Sequence, residues 1–408
     1  MTLAEQRVTR RTWVPRGLWP LWAAGLISTA GDSLHQVAIM WLIYELTGSK
    51  IATGLIGMAQ YLPSVIFGVF AGALVDRMDR KRVMIFSDAA RVALVALIPT
   101  LYLMGMMTGM LLGLLAFCIA LFTTLFYPAR ESVIPQVVEH EDLTRSSSLL
   151  QGSYGFAYFV GPVMAAAMLP WAKISGLFYG DAITFFVSLL FLLKLRPRPL
   201  EVTTAPKLAP LQTVREGLSY AHQHGLIRGL LWITAVDNLF IMGPALVGAP
   251  LYVRLHLGLG AGAYAATEGA FALGMVAGSF LVHRYASRFP RGKLLLCAII
   301  WDGITFVPFY FTDTLTSTMI WWFIHSIGIP FILVPRATLI QTEVPAHLQG
   351  RIFSLVNLTV VGLSAISCSL TGFATELIST EALFAVIGVS AAVVGGIGWA
   401  IGDLRRAA

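Results

Sequence analysis

Long apolar stretches recur along the whole chain, and each is long enough to cross a lipid bilayer. An α-helix rises about 1.5 Å per residue, so about 20 apolar residues span the hydrocarbon core. Barrel strands would alternate apolar and polar residues, which these stretches do not. The sequence therefore predicts an all-α membrane protein with twelve transmembrane helices. The predicted spans are 18–45, 51–74, 83–105, 108–130, 147–170, 175–195, 227–252, 262–283, 293–312, 316–336, 352–374 and 381–402.

The composition agrees with a lipid environment. Only 12% of the 408 residues are charged and 57% are hydrophobic, whereas a soluble domain carries about a quarter charged residues. Mean hydropathy is +0.77. Cys118, Cys297 and Cys368 lie in separate predicted spans, so we expect neither a disulfide framework nor a metal site. No cofactor is expected, and the lipid bilayer is the first expected partner.

Positive charge is distributed unevenly between the two sides of the membrane. All but four of the 28 lysines and arginines fall in or beside segments on the side of the N-terminus; the exceptions are Lys50, Arg91, Lys173 and Arg254. By the positive-inside rule, both termini are cytoplasmic. We expect a multi-pass protein of the bacterial inner membrane. The net charge of +7 follows from this bias, so we expect no nucleic-acid partner.

The spans divide into two six-helix bundles. An offset of 206 residues relates Gly72 to Gly278, Phe117 to Phe323, Arg130 to Arg336, Arg145 to Arg351 and Leu149 to Leu355, which indicates two parallel repeats. Between them lies a polar connection with an amphipathic helical stretch that includes Leu211, Val214, Leu218 and Ala221. The predicted organisation is a cytoplasmic segment at 1–17, a bundle at 18–195, a cytoplasmic linker at 196–226, a bundle at 227–402 and a cytoplasmic tail at 403–408.

Two motifs resemble the major facilitator superfamily. Residues 72–82 read GALVDRMDRKR, which is similar to the cytoplasmic loop signature of that family, with Asp79 where the usual pattern has glycine. The resemblance implies a gate in which a small residue permits close helix packing and charged residues form a cytoplasmic ion-pair cluster. The predicted gate residues are Gly72, Asp76, Arg77, Arg80 and Lys81, together with Asp88 and Arg91, whose spacing suits an ion pair within span 3.

The second motif is Gly161-Pro162 in span 5, followed by Ala165-Ala166. It resembles the antiporter motif of the same superfamily, with alanines in place of a glycine pair. A packed proline kink would also explain it. Further segments, among them 41–49 (WLIYELTGS) and 127–130 (YPAR), resemble the drug-exporter branch that includes macrolide and siderophore exporters.

Ionisable residues inside the spans are the candidates for function, because such groups are costly in a bilayer unless they face protein or water. The resemblance implies that spans 1, 4, 7 and 10 line a central cavity. The candidates for proton coupling or cargo binding lie on three of these spans. They are Asp32, His35, Gln36, Asp237, Asn238 and His325. A purely structural role remains open for each, and Asp181, Glu268 and Asp302 receive no assigned function.

Other classes of protein lack support in the sequence. No HExxH, GxSxG or GxxxxGK[ST] motif is present, so we expect neither an enzyme nor a self-contained ATP-driven pump. The sequence and the resemblance together predict a monomeric secondary transporter that exports a small amphipathic compound in exchange for protons by alternating access. A transporter of lysolipid or another amphiphile without obligate proton exchange, and an importer of a small metabolite, remain alternatives.

Overall fold

The computed structural model of the protein describes residues 14–75, 77–198 and 210–407. These residues form helices and connecting turns, with no strand among them. The all-α membrane fold is confirmed. The helices of the N-terminal half are α1 (Trp19–Thr47), α2 (Lys50–Val75), α3 (Arg80–Leu103), α4 (Gly109–Val137) and α5 (Leu143–Lys194).

The C-terminal half follows a linker helix, α6 (Pro210–Gln223). Its first span is α7 (Gly225–Gly243), which continues without interruption through π-helical turns at Pro244–Gly248 and Tyr252–His256, with α8 (Ala249–Leu251) between them. The remaining helices are α9 (Ala261–Tyr285), α10 (Arg291–Ile304), α11 (Leu315–Glu343), α12 (Ala346–Leu377), α13 (Thr380–Gly398) and α14 (Gly402–Arg406).

Ten stretches of the described chain are long and apolar enough to cross a membrane. One of them, Arg145–Lys194, is 50 residues long and breaks at Lys173, whose φ of 55° interrupts α5. It therefore makes two passes. Helix α1, with 29 residues, carries polar groups that lower its hydropathy and supplies the remaining pass. The twelve predicted spans are thus present, and the break in α5 falls between predicted spans 5 and 6.

Local sequence explains where several helices begin and end. Asp79 accepts a hydrogen bond from the backbone N–H of Arg82 at 3.0 Å, so the residue that departs from the family pattern caps α3. Thr108 and Thr314 cap α4 and α11 in the same way, each with an extended backbone. Gly48, at φ 61°, ends α1, a conformation that glycine adopts without a steric penalty.

The two halves meet at one face of the bundle. We call the side that carries residues 14–17 and 402–407 the terminal face and the other side the opposite face. Near the opposite face, α2 packs against α12 so closely that a Cβ on Gly54 would lie 2.8 Å from the Cα of Gly372. Lys50 Nζ donates a hydrogen bond to the carbonyl oxygen of Thr375 at 2.6 Å. Helices α5 and α9 also pack together across the two halves.

Toward the terminal face, the glycines on the same side of α2 have open space at their Cβ positions. Gly72 follows Gly54 by 18 residues, or five helical turns, so both lie on one side of the helix. Nothing lies within 4 Å of the Cβ position of Gly72 or of Gly68. The same holds for Gly152 and Gly155 on α5. The halves are therefore closed at the opposite face, and these helix surfaces are open toward the terminal face.

Candidate functional site

Asp32 lies half-buried in the middle of α1. Its charged neighbours are Arg91 and Asp88 on α3, Asp181 on the second part of α5, and His35 one turn along its own helix. The structure thus places the first candidate proton carrier among the ionisable groups of the N-terminal half. Arg91 offsets the cost of a negative charge at this depth.

His35 and Gln36 turn in different directions from the same helix. The His35 ring contacts Phe178 edge-on with centroids 5.3 Å apart, and its Nδ1 lies 3.2 Å from Asp181 Oδ2. His35 therefore faces the interior of the N-terminal half. Gln36 lines a cleft between the halves. The sequence had placed Asp32, His35 and Gln36 on one helix face, but the 100° step between residues 35 and 36 separates the last two.

The ion pair expected from the spacing of Asp88 and Arg91 is present and completely buried. The guanidinium lies between the rings of Phe126 and Phe185, 4.4 and 4.2 Å from their centroids. Ser188 Oγ donates a hydrogen bond to the other oxygen of Asp88 at 2.7 Å. This cluster ties α3 to α4 and α5, so it joins helices within the N-terminal half.

The C-terminal half holds Asp237 and Asn238 on α7, both buried. The Asn238 side-chain amide donates to the carbonyl oxygen of Thr234 at 2.8 Å, so it is engaged by its own helix. Asp237 Oδ1 accepts no hydrogen bond from the described residues. Arg336 on α11 supplies the positive charge near this carboxylate. Asp237 and Arg336 are thus oppositely charged neighbours on two different spans.

His325 lies inside the C-terminal half, between α10 and α11. Its Nδ1 is 2.9 Å from Thr305 Oγ1 and 3.5 Å from Asp302 Oδ1. The rings of Phe306 and Trp322 pack on the imidazole, with centroids 4.5 and 5.5 Å from its own. His325, like His35, therefore contacts a buried aspartate of its own half.

A narrow cleft with a cavity volume of about 20 Å³ lies between the two halves. The N-terminal half contributes Gln36 and Pro162, and the C-terminal half contributes Glu268 on α9. Gly161 lets α5 approach α1, because a Cβ there would overlap the Cβ of Ser33. The antiporter-like motif thus packs against the helix that carries Asp32. The sequence had left Glu268 without a role, because nothing local shows which surface it faces.

The cleft is closed toward the opposite face by aromatic residues and an arginine. Trp41 on α1 stacks on Tyr264 on α9, with centroids 6.1 Å apart and planes 20° apart. The Arg254 guanidinium lies 5.1 Å from the ring centroids of both Trp41 and Tyr44. These contacts cross from one half to the other, so any opening at the opposite face must break them.

The predicted gate lies at the terminal face, and its residues are only partly in contact. Lys81 Nζ donates to the carbonyl oxygens of Leu193 and Leu195 at 2.9 and 2.7 Å, which binds the start of α3 to the end of α5. Arg77 is exposed. The close helix approach expected at Gly72 is not made in this conformation. Asp76 lies outside the described residues, so its contact with the basic cluster stays a prediction.

Twelve membrane-crossing passes in two halves, with ionisable groups inside each half and a cleft between them, define a polytopic membrane transporter. The chain belongs to the Major Facilitator Superfamily, whose sequence pattern matches residues 21–367. The superfamily consists of transporters, so the chain is not an enzyme.

Two curated relatives and one solved structure show how far the similarity extends. The chain is 28% identical to the uncharacterized MFS-type transporter YfiS of Bacillus subtilis (strain 168), over 96% of this chain and 95% of that one. It is 23% identical to macrolide efflux protein A of Streptococcus pyogenes, over 83% and 84%. Its fold matches a mutant of the nucleoside transporter NupG with a TM-score of 0.80, at 9% identity and over 94% and 99% of the two chains. The relatives therefore include the drug-efflux branch expected from the motifs.

Proposed function

We propose that the protein exports a small amphipathic compound across the bacterial inner membrane in exchange for protons. The observation that carries the proposal is the position of Asp32. It lies within a membrane span, next to Arg91 and to the His35 and Asp181 pair. A carboxylate at this depth is stable when a proton or a nearby cation neutralises it, so its charge can change as access to water changes.

The C-terminal half provides a second carboxylate for proton exchange. Asp237 has Arg336 as its positive neighbour, as Asp32 has Arg91. His35 and His325 would each hold or pass a proton within their own half, together with their aspartate partners Asp181 and Asp302. Gln36 belongs to the cargo cleft, and Asn238 bonds within its own helix beside Asp237.

Transport would proceed by alternating access, in which the cleft between the two halves opens first to one side of the membrane and then to the other. The distribution of lysine and arginine puts the terminal face in the cytoplasm, so this conformation is open to the inside. Closing that face would bring the free surfaces of Gly72 and Gly155 against the other half. The segment from Gly72 to Lys81 would then hold the closed position, while the Asp88 and Arg91 pair keeps α3 fixed to α4 and α5.

Export of an amphipathic compound fits the relatives and the cleft. A macrolide efflux protein is among the relatives, and the cleft is lined by apolar, aromatic and polar groups. Such a lining suits a cargo with both apolar and polar parts. We propose that the protein works as a monomer, because the cleft is formed between the two halves of one chain.

Transport in proteoliposomes under an imposed pH gradient tests the proposal. A panel of amphipathic compounds is compared for the native chain and for Asp32→Asn, which keeps the shape and removes the charge. We expect gradient-driven movement of at least one compound in the native chain and its loss in the variant. Movement that ignores both the gradient and the substitution would reject proton exchange and favour an amphiphile facilitator.

A further inference from the structure

A second and larger pocket lies at the opposite face, outside the cleft between the halves. Its cavity volume is about 510 Å³, and ligand pockets typically measure about 300–1,000 Å³. The ends of α1 and α3 and the break in α5 form most of it, and the first turn of α9 forms its remaining side. We call it the opposite-face pocket. Its lining includes Trp41, Glu45, Tyr102, Lys173, Ala261 and Gly262.

Two opposite charges line this pocket without neutralising each other. Glu45 is exposed, and its Oε1 accepts a hydrogen bond from the Tyr102 hydroxyl at 2.8 Å. Lys173 is also exposed, and its Nζ makes no ion pair with any residue that the structure describes. A ligand that carries both an ammonium and an anionic group can pair with both residues, whereas a singly charged ligand leaves one of them unpaired. The lining therefore suits a zwitterion.

Lys173 has a backbone conformation that a lysine rarely adopts. Its φ is 55° and its ψ is −177°, and it is the one non-glycine residue with positive φ in the described chain. Glycine would take this conformation at a lower steric cost. Strained residues of this kind cluster at sites that bind ligands. The strain thus indicates that Lys173 does more than connect the two passes of α5.

The position of the pocket favours a lipid over a water-soluble compound. The pocket lies where α3 ends and α5 breaks, so it is at the level where these spans leave the bilayer. Trp171, next to the pocket, is 73% exposed, and tryptophan is enriched at the membrane–water interface. Leu103 lines the pocket and is 67% exposed. Apolar surface therefore runs outward from the charged groups, as the chains of a lipid require.

The pocket also joins the two halves of the protein. Ala261 and Gly262 belong to α9, whose first turn has no side-chain cap, so its N–H groups add to the attraction of Lys173 for an anion. Trp41 lines the pocket and stacks on Tyr264 of α9. Opening the opposite face would separate α9 from α1 and take the pocket apart. A ligand in the pocket therefore stabilises the closed state of this face.

We propose that the opposite-face pocket binds the headgroup of a zwitterionic phospholipid. Glu45 pairs with the ammonium group, and Lys173 pairs with the phosphate beside the first turn of α9. The bound lipid holds the two halves together at this face, so it favours the conformation that is open toward the terminal face. The inference goes beyond the proposed function, because it concerns a second ligand outside the cleft and does not depend on proton exchange.

Native mass spectrometry of the full chain released from lipid nanodiscs tests the assignment, because it identifies the lipids that stay bound. The nanodiscs contain equal amounts of phosphatidylethanolamine, which is zwitterionic, and phosphatidylglycerol, which is anionic and has no ammonium group. Both lipids have the same acyl chains. The variants are Glu45→Gln, Lys173→Gln and, as a matched control, Glu376→Gln. Glu376 is an exposed acid at the end of α12, near the same face.

We expect the native chain and Glu376→Gln to retain phosphatidylethanolamine in preference to phosphatidylglycerol. Glu45→Gln should reduce this preference about fivefold, the scale of one ion pair at an exposed site. The glutamine can still accept the hydrogen bond from Tyr102, but it has no charge to attract the ammonium group. Lys173→Gln should lower the retention of both lipids, because both carry a phosphate. Glu45 and Lys173 are exposed, so we expect these variants to fold.

Three results would overturn the assignment. The first is equal retention of the two lipids by the native chain. The second is a preference that Glu45→Gln leaves unchanged, or that Glu376→Gln reduces as much, because the charge at Glu45 would then have no specific role. The third is displacement of the bound lipid by excess phosphoethanolamine, which has the same two charges and no acyl chains, since the site would then take a free zwitterion.

Discussion

His35 Nδ1 lies 3.2 Å from Asp181 Oδ2, although 146 residues separate the two in sequence. The contact depends on Gly31, because a Cβ at that position would lie 2.5 Å from Asp181 Oδ1. In the other half, His325 Nδ1 lies 3.5 Å from Asp302 Oδ1. Each half therefore encloses an imidazole and a carboxylate, in addition to the carboxylates of Asp32 and Asp237.

The Asp88 and Arg91 pair should be essential for stability. Replacing Arg91 with methionine leaves a buried carboxylate without its cation, which costs about 3–5 kcal/mol. We expect a marked drop in the unfolding midpoint of the protein in nanodiscs. Arg82→Ala is the control, because it breaks a surface pair in which Arg82 is 88% and Asp79 56% exposed, worth about 0–1 kcal/mol. Similar midpoints for the two variants would show that the buried pair contributes no special stability.

Gly372 should determine whether the opposite face can close. A Cβ on Gly372 would lie 2.9 Å from the Cα of Gly54, so Gly372→Leu should force α2 and α12 apart there. Spin labels at Met106 and Leu377, both exposed, report the separation of the halves at this face. The chain that carries them has its three native cysteines replaced by alanine.

We expect a longer distance between the labels in Gly372→Leu than in the parent chain. Gly396→Leu is the control, since nothing lies within 4 Å of its Cβ position, and it should leave the distance unchanged. An unaltered distance in Gly372→Leu would contradict the close packing described for α2 and α12.

Acid should release the start of the cytoplasmic linker, residues 196–198, from its contact with Glu139. Arg198 Nη2 lies 2.5 Å from Glu139 Oε1 and holds the pKa of Glu139 below its usual value of 4.5. The pair is therefore intact at neutral pH and is lost as the pH falls through that lowered pKa. A spin label at the exposed Arg196 should become more mobile over this range.

Glu139→Gln should make the label at Arg196 mobile at every pH, because the ion pair is absent throughout. Glu141 is a neighbouring exposed acid, so Glu141→Gln serves as the control. It should keep the pH-dependent change in the mobility of the label. A label whose mobility does not change with pH in the native chain would show that this pair does not hold the linker.

The spans were predictable because length and hydropathy are properties of continuous sequence. The same properties predicted a loop between spans 5 and 6, where α5 breaks at Lys173. Helix α4 extends to Val137, beyond the predicted end of its span at residue 130. The extension contains Pro135, which a packed membrane helix accommodates.

The partners of the ionisable residues were not predictable in the same way. Asp88 and Arg91 lie one turn apart, so their pairing followed from helix geometry alone. The contact of His35 with Asp181, and the position of Glu268 in the cleft, depend on how distant helices pack. A single sequence carries no direct signal of such contacts.

In the proposed exchange, cargo and protons cross the membrane in opposite directions on the same protein. We would measure the pH inside proteoliposomes with a trapped fluorescent dye, without a preset pH gradient, while a cargo that cannot itself carry protons flows inward. We expect the lumen to become alkaline in proportion to cargo uptake, and Asp32→Asn to abolish this change. Cargo uptake at the native rate with no change in lumenal pH would contradict it.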